Sequence, residues 1–161
     1  MKTITALCVL FLVGCGGGSE QSTTSYQEKI RDLQKREATC PSIETVCTNS
    51  NDIRADIFLV IEQLPPFKWI NEEGDHWNAS CETLRRPIGE CDDIAPMICR
   101  AIADSCVMEN YDAQVFLRLT DTGNSKHMVC VVYHGGHDYE IEDGFISEHN
   151  SDKILAEFNI Y

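Results

Sequence analysis

The first two thirds of the chain carry apolar residues at the three-to-four-residue spacing of amphipathic helices. The spacing predicts a surface helix from the capping-box pattern Ser25–Glu28 to about Cys40, a second helix over 51–64 and a third over 91–106. The segment 67–89 between the last two has no clear period and is expected to be irregular. The apolar positions are Tyr26, Ile30 and Leu33; Ile53, Ile57, Val60, Ile61 and Leu64; and Ile94, Ile98, Ala101, Ile102 and Cys106.

Beyond the third helix the period of apolar residues changes from about 3.6 to about 2, which is typical of β-strands. The pattern predicts strands at 113–119, 127–133 and 137–143, with a turn at 121–125. Helices first and an antiparallel sheet afterwards indicate the α+β class.

The last two strands are expected to form a hairpin centred on Gly135, with an odd number of loop residues. This register sets valines of the first strand against apolar residues of the second, whereas a slip by one residue would set them against acids. It places His127 directly opposite Asp143, and it turns Glu140 and Glu142 to the other surface.

The N-terminus is not expected to belong to the fold. An apolar run of about ten residues, Ile4–Val13, is too short to span a membrane but suits a signal peptide. The letters LVGC at Leu12–Cys15 resemble the lipobox of bacterial lipoproteins, which implies cleavage before Cys15 and a lipid on that cysteine. Residues 1–14 are then a signal peptide, 15–25 the lipidated cysteine and a flexible tether, and 26–161 one domain. The alternative is an ordinary signal peptide with a chance cysteine.

The formal net charge is −13, and no run of basic residues occurs. Binding to nucleic acid is therefore not expected, because phosphate recognition requires clustered lysine and arginine. The acidic balance is compatible with affinity for divalent cations.

The cysteine count is odd once the N-terminal segment is removed. Of nine cysteines, Cys8 leaves with the signal peptide and Cys15 carries lipid, so seven remain in a compartment that permits disulfides. Six of them can pair, and the seventh is a candidate reactive thiol. Spacing alone does not identify it.

One cysteine stands where a nucleophile would be activated. The stretch GECDDIA, Gly89–Ala95, places Cys91 at a helix start directly after a glycine turn. Partial positive charge at a helix N-terminus stabilises a thiolate. The alternative is a disulfide cysteine that happens to begin a helix. The predicted pairing of His127 with Asp143 would add a general base and a carboxylate that orients it.

These motifs resemble those of the bacterial transglutaminase-like cysteine peptidases, within the papain-like superfamily. GECDDIA is similar to the nucleophile motif of that family, KHMVCVV to its histidine strand and YEIEDG to its aspartate strand. The resemblance implies a papain/transglutaminase-like fold, with Cys91 as nucleophile, His127 as base and Asp143 as orienter. If Cys91 is the free thiol, the remaining cysteines form an even set of possible disulfide partners: Cys40, Cys47, Cys81, Cys99, Cys106 and Cys130.

Three carboxylates flank the proposed nucleophile, and they oppose formation of a thiolate. A calcium ion held by Glu90, Asp92 and Asp93 would relieve this, since calcium prefers carboxylate oxygens and some members of the resembled family bind calcium beside the nucleophile. The equally open alternative is a solvated cluster that caps the helix.

The resulting expectation is a lipid-anchored thiol hydrolase of the bacterial cell envelope, facing the periplasm or the exterior. It would cleave peptide or isopeptide bonds of envelope proteins through a thioester at Cys91. Two alternatives stay open: an acyl transferase that uses the same triad, and a noncatalytic adaptor that binds a partner through its acidic surface.

Overall fold

The computed structural model describes residues 23–46, 48, 50–70, 76–123, 125–142, 144–148 and 153–160. Cys15, Cys47 and Asp143 lie outside these residues, as does the signal segment 1–14, so the expectations placed on them stay predictions. Among the helices of the described ranges, none has the length and apolar character needed to cross a membrane.

The described part of the chain contains helices in its first two thirds and a sheet in its last third. The helices are α1 (Thr23–Glu37), α2 (Ile53–Glu62), α3 (Ser80–Arg85), α4 (Cys91–Ala103) and α5 (Val107–Tyr111). The strands are β1 (Lys68–Trp69), β2 (Ile88–Gly89), β3 (Gln114–Asp121), β4 (Lys126–His134), β5 (His137–Glu142), β6 (Phe145–Glu148) and β7 (Lys153–Phe158).

The three long helices lie where apolar spacing predicts them, with one difference at the end of the third. α4 ends at Ala103 rather than near Cys106, and the carboxylate of its C-cap residue Asp104 accepts from Arg100 Nε and from the backbone amide of Ile43, each at 2.7 Å. The prediction that 67–89 is irregular is wrong. That segment contains β1, α3 and β2, which are too short to show a period.

β3 to β7 form one antiparallel sheet with the strand order β6-β5-β4-β3-β7. α4 packs on one face of this sheet, and the Cys99–Cys130 disulfide joins α4 to β4. We call this the helix-side face and the opposite one the far face. The sheet residues of the helix-side face are buried: Val115, Leu117, Leu119, Met128, Cys130, Val132, Tyr139 and Ile141.

A second bridge joins Cys40, just after α1, to Cys81 in α3. Cys91 and Cys106 are also disulfide-bonded, but neither of them takes part in these two bridges. The presence of disulfides is therefore confirmed, and the bonded cysteines of the described ranges are Cys40, Cys81, Cys91, Cys99, Cys106 and Cys130.

The predicted register of the β4–β5 hairpin is wrong by one residue. Val131 pairs with Glu140, and the last pair before the turn is His134 with His137. The loop is therefore Gly135–Gly136 alone, with φ of 60° and 83°, and two positive φ angles suit a two-residue hairpin turn. The hydrophobic pattern favours a register without valine opposite glutamate, whereas here an arginine on the far face compensates the acid.

Candidate functional site

The start of α4 is fixed by a buried carboxylate. Asp93, fully buried, accepts hydrogen bonds from the backbone amides of Glu90 and Asn78, each at 3.0 Å. It thereby satisfies a donor that the first helical turn would otherwise leave without a partner. Gly89, just before Glu90, has a φ of +147°. A Cβ at this position would lie only 1.9 Å from Asp93 Oδ2, so a side chain does not fit there. Gly89 and Asp93, the first and last residues of GECDD, thus together fix the start of the helix at Cys91.

Cys91 is the first residue of α4, it is 4 % exposed, and it is disulfide-bonded. Two contacts show in which direction α4 runs along β4. Cys99 in α4 is bonded to Cys130 in the middle of β4, and Tyr111, which follows α4, packs edge-on against His134 at the end of β4. The start of α4 therefore lies toward the start of β4.

His127 is the second residue of β4 and has a carboxylate beside it. Its Nε2 lies 2.8 Å from Oε1 of Glu142, the last residue of β5. Contact with His127 lowers the pKa of Glu142 below its usual range, against the opposing effect of burial. The two atoms are close, but the imidazole is not aligned for a regular hydrogen bond. The expectation that Glu142 points away from the site is wrong.

His127 and α4 lie on opposite faces of β4. His127 pairs with Thr120, whereas its neighbour Met128 pairs with Leu119 in the core beneath α4. Because side chains alternate along a strand, His127 belongs to the far face. The structure therefore brings Cys91 and His127 toward one end of the sheet but not onto one face.

A charged cluster that the sequence analysis missed occupies the middle of the far face. Arg118, 1 % exposed, donates to Glu140 at 2.6 Å, Asp138 at 2.8 Å and Glu157 at 2.9 Å, and to the hydroxyl of Tyr133 at 2.6 Å. Burial opposes its charge, but the hydrogen bonds to the three carboxylates raise the pKa of Arg118 above its usual range. This cluster is what permits Glu140 to lie opposite Val131.

Arg118 could have been found from its position. It lies between Leu117 and Leu119 inside a strongly apolar strand, and Glu140 and Glu157 also stand inside their own strands. A lone arginine with acids at matching strand positions is a signal for a buried ion pair.

No protein-family model and no curated protein sequence matches the chain. Among solved structures, the chain resembles Legionella pneumophila LapG, with a TM-score of 0.54 and 16 % identity over 88 % of this chain and 78 % of that one. LapG in its calcium-bound form gives 0.54 at 16 % identity, and the EGTA-treated form gives 0.55 at 15 % identity. At these identities the likeness establishes the fold, and it confirms the predicted α+β, transglutaminase-like architecture.

The calcium-bound LapG structure raises the question of whether the predicted ligands of this chain fit such an ion. Both oxygens of Asp93 accept backbone amides inside the protein, so this residue serves as a helix cap. The described residues contain no group of three or more histidine, cysteine, aspartate or glutamate side chains arranged for a metal. Calcium binding by Glu90, Asp92 and Asp93 stays a prediction.

Proposed function

We propose that the chain is a thiol hydrolase that cleaves peptide or isopeptide bonds of bacterial envelope proteins, with Cys91 as nucleophile. The observation that carries the proposal is the position of Cys91, the first residue of the central helix in a fold shared with LapG. The unshared amides of a helix N-terminus favour the thiolate and supply donors for a developing oxyanion.

In the proposed reaction, His127 takes the proton of the Cys91 thiol, and the thiolate attacks the substrate carbonyl. Collapse of the tetrahedral intermediate leaves a thioester on Cys91 and passes the proton to the departing amine. Water, deprotonated by His127, then hydrolyses the thioester. This sequence requires the Cys91 thiol in its reduced form and an approach of His127 around the end of β4.

A second candidate is a noncatalytic adaptor of the same fold. It is favoured by two observations: Cys91 is disulfide-bonded here, and His127 lies on the face of β4 away from α4. Such a protein would keep Cys91 as a structural residue and bind its partner without chemistry.

Alkylation and cleavage measured together distinguish the two. The full chain is treated with iodoacetamide with and without mild reductant, and Cys91 labelling is read by mass spectrometry. The same preparations are incubated with envelope proteins, and new N-termini are counted. The hydrolase should label at Cys91 and generate new N-termini, and both should be lost in C91A but kept in the matched C106A. A labelled Cys91 without cleavage contradicts the hydrolase.

We also propose that the protein is anchored to a membrane of the bacterial envelope by lipid on Cys15. The support is the lipobox-like LVGC and the polar tether that follows it. Replacing Cys15 with Ser should release the protein from washed membranes or leave an uncleaved precursor. Unchanged retention of C15S on membranes contradicts the anchor.

A further inference from the structure

The carboxylate that holds His127 is the feature of the proposed site on which structure and sequence disagree most. The predicted register, centred on Gly135, gives this role to Asp143 because it sets Asp143 opposite His127. The observed register is shifted by one residue, so this argument no longer selects Asp143, which itself lies outside the described residues.

Glu142 meets the geometric requirement in its place. Its Oε1 lies 2.8 Å from His127 Nε2, and Glu142 ends β5 on the far face that also carries His127. The glutamate side chain is 57 % exposed and that of His127 is 15 % exposed, so the carboxylate has room to rotate into line with the imidazole.

We infer that Glu142 is the positioning residue of His127 and that His127 exchanges its proton with Cys91 through Nδ1. The inference rests on the proposed function. A carboxylate at Nε2 keeps the proton on that nitrogen and leaves the Nδ1 lone pair as the base. When Nδ1 takes the thiol proton, the imidazolium charge is compensated by Glu142, and no further charge is buried.

The lowered pKa of Glu142 is consistent with this arrangement, since it keeps the carboxylate ionised beside the ring. Glu142 is also a favourable residue to substitute, because its exposed side chain is not part of the buried Arg118 cluster. Loss of folding should therefore not obscure the result.

The test compares E142Q with D143N in the full chain, solubilised in detergent where its anchor requires it. Nitrogen-15 NMR of the His127 ring reports which nitrogen carries the proton. The wild type and D143N should show protonation at Nε2, and E142Q should show a mixture of the two tautomers. E148Q, at an exposed glutamate paired with Arg54, is the matched control and should give the wild-type spectrum.

Enzyme kinetics provide the second measurement. If the chain hydrolyses peptides, E142Q should lower kcat by at least about tenfold with little change in KM, and E142D should restore part of it. D143N should change kcat by less than about twofold. A tautomer shift in D143N but not in E142Q overturns the assignment. If the wild type shows no turnover, the proposed function fails, while the NMR comparison still decides which carboxylate holds His127.

Discussion

The two faces of the β3–β7 sheet are both buried, but different interactions stabilise them. The helix-side face contacts α4 through apolar side chains such as Leu117 and Met128 and through the Cys99–Cys130 bridge. The far face has buried valines, Val129 and Val131, around a guanidinium that three carboxylates surround.

The difference shows that a hydrophobic pattern fixes a strand register only where charges are absent from the interior. On the helix-side face a polar residue would have no partner, so apolar alternation is a reliable guide there. On the far face, Glu140 is stabilised by Arg118, and the alternation of valine with glutamate carries no information about the register. Turn geometry decides it instead.

The largest effect on the free energy of unfolding is expected from removing Arg118, the cation of the far face. Replacing Arg118 with Leu leaves Glu140 buried without its charge partner, and such losses cost about 3 to 5 kcal/mol. Urea denaturation of R118L should show this decrease in the free energy of unfolding. The matched variant R54L breaks an exposed ion pair with Glu148 and should cost less than about 1 kcal/mol. Equal, small effects of the two would show that the far face does not depend on its buried charges.

Much of the fold could be predicted from the sequence, because long elements with one apolar side follow simple periodicity. α1, α2 and the start of α4 at Cys91 lie where the spacing placed them. β1 and β2, two residues each, exist because they pair with one another, and that contact leaves no period in the sequence. The predicted register of the β4–β5 hairpin is wrong for another reason. Gly135 and Gly136 both adopt positive φ, whereas the sequence is compatible with a positive φ at one or at both of them.

The candidate site was predictable in its residue types and less so in their arrangement. A cysteine after a glycine turn, with an aspartate two residues later, indicated the capped start of α4. The partner of His127 depended on a register difference of one residue, and the face on which His127 lies depended on Cys130 bonding to α4. Those are tertiary contacts that no single segment encodes.

The second prediction concerns the covalent bond of the helix-side face. Replacing both Cys99 and Cys130 with Ala removes a bridge that closes a loop of 31 residues, and we expect a loss of about 2 to 4 kcal/mol in the free energy of unfolding. The matched pair C40A/C81A removes the bridge between α1 and α3, with a separation of 41, and should cost a similar amount. If C99A/C130A unfolds at the wild-type urea concentration, apolar packing alone holds α4 to the sheet.

The third prediction contrasts Asp93 with Arg118, since this buried carboxylate accepts hydrogen bonds from two backbone amides. D93N turns an amide donor toward one of the two backbone donors and should cost about 1 to 3 kcal/mol. D92N, at a partly exposed position in the same turn, should cost much less. Both differences should be the same in calcium and in a chelator. A D93N deficit that appears only with calcium would instead identify Asp93 as a metal ligand.

The smallest effect is expected at the rim of the far face, where the Glu142 carboxylate is more than half exposed and its contact with His127 is screened by solvent. The pKa of Glu142 is lowered in the folded protein, mainly by His127. A group with a lowered pKa stabilises the fold above its unfolded pKa, about 4.3 for glutamate, and this contribution is lost as the pH falls through the folded pKa. Wild type should therefore exceed E142Q in unfolding free energy at about pH 5.5, by less than about 1 kcal/mol, and the two should converge by about pH 3. Urea titrations at the two pH values measure this, with E148Q as the exposed control. A difference that persists at the lower pH would mean that Glu142 stabilises the strand end through packing, and that its contact with His127 contributes no charge-dependent free energy.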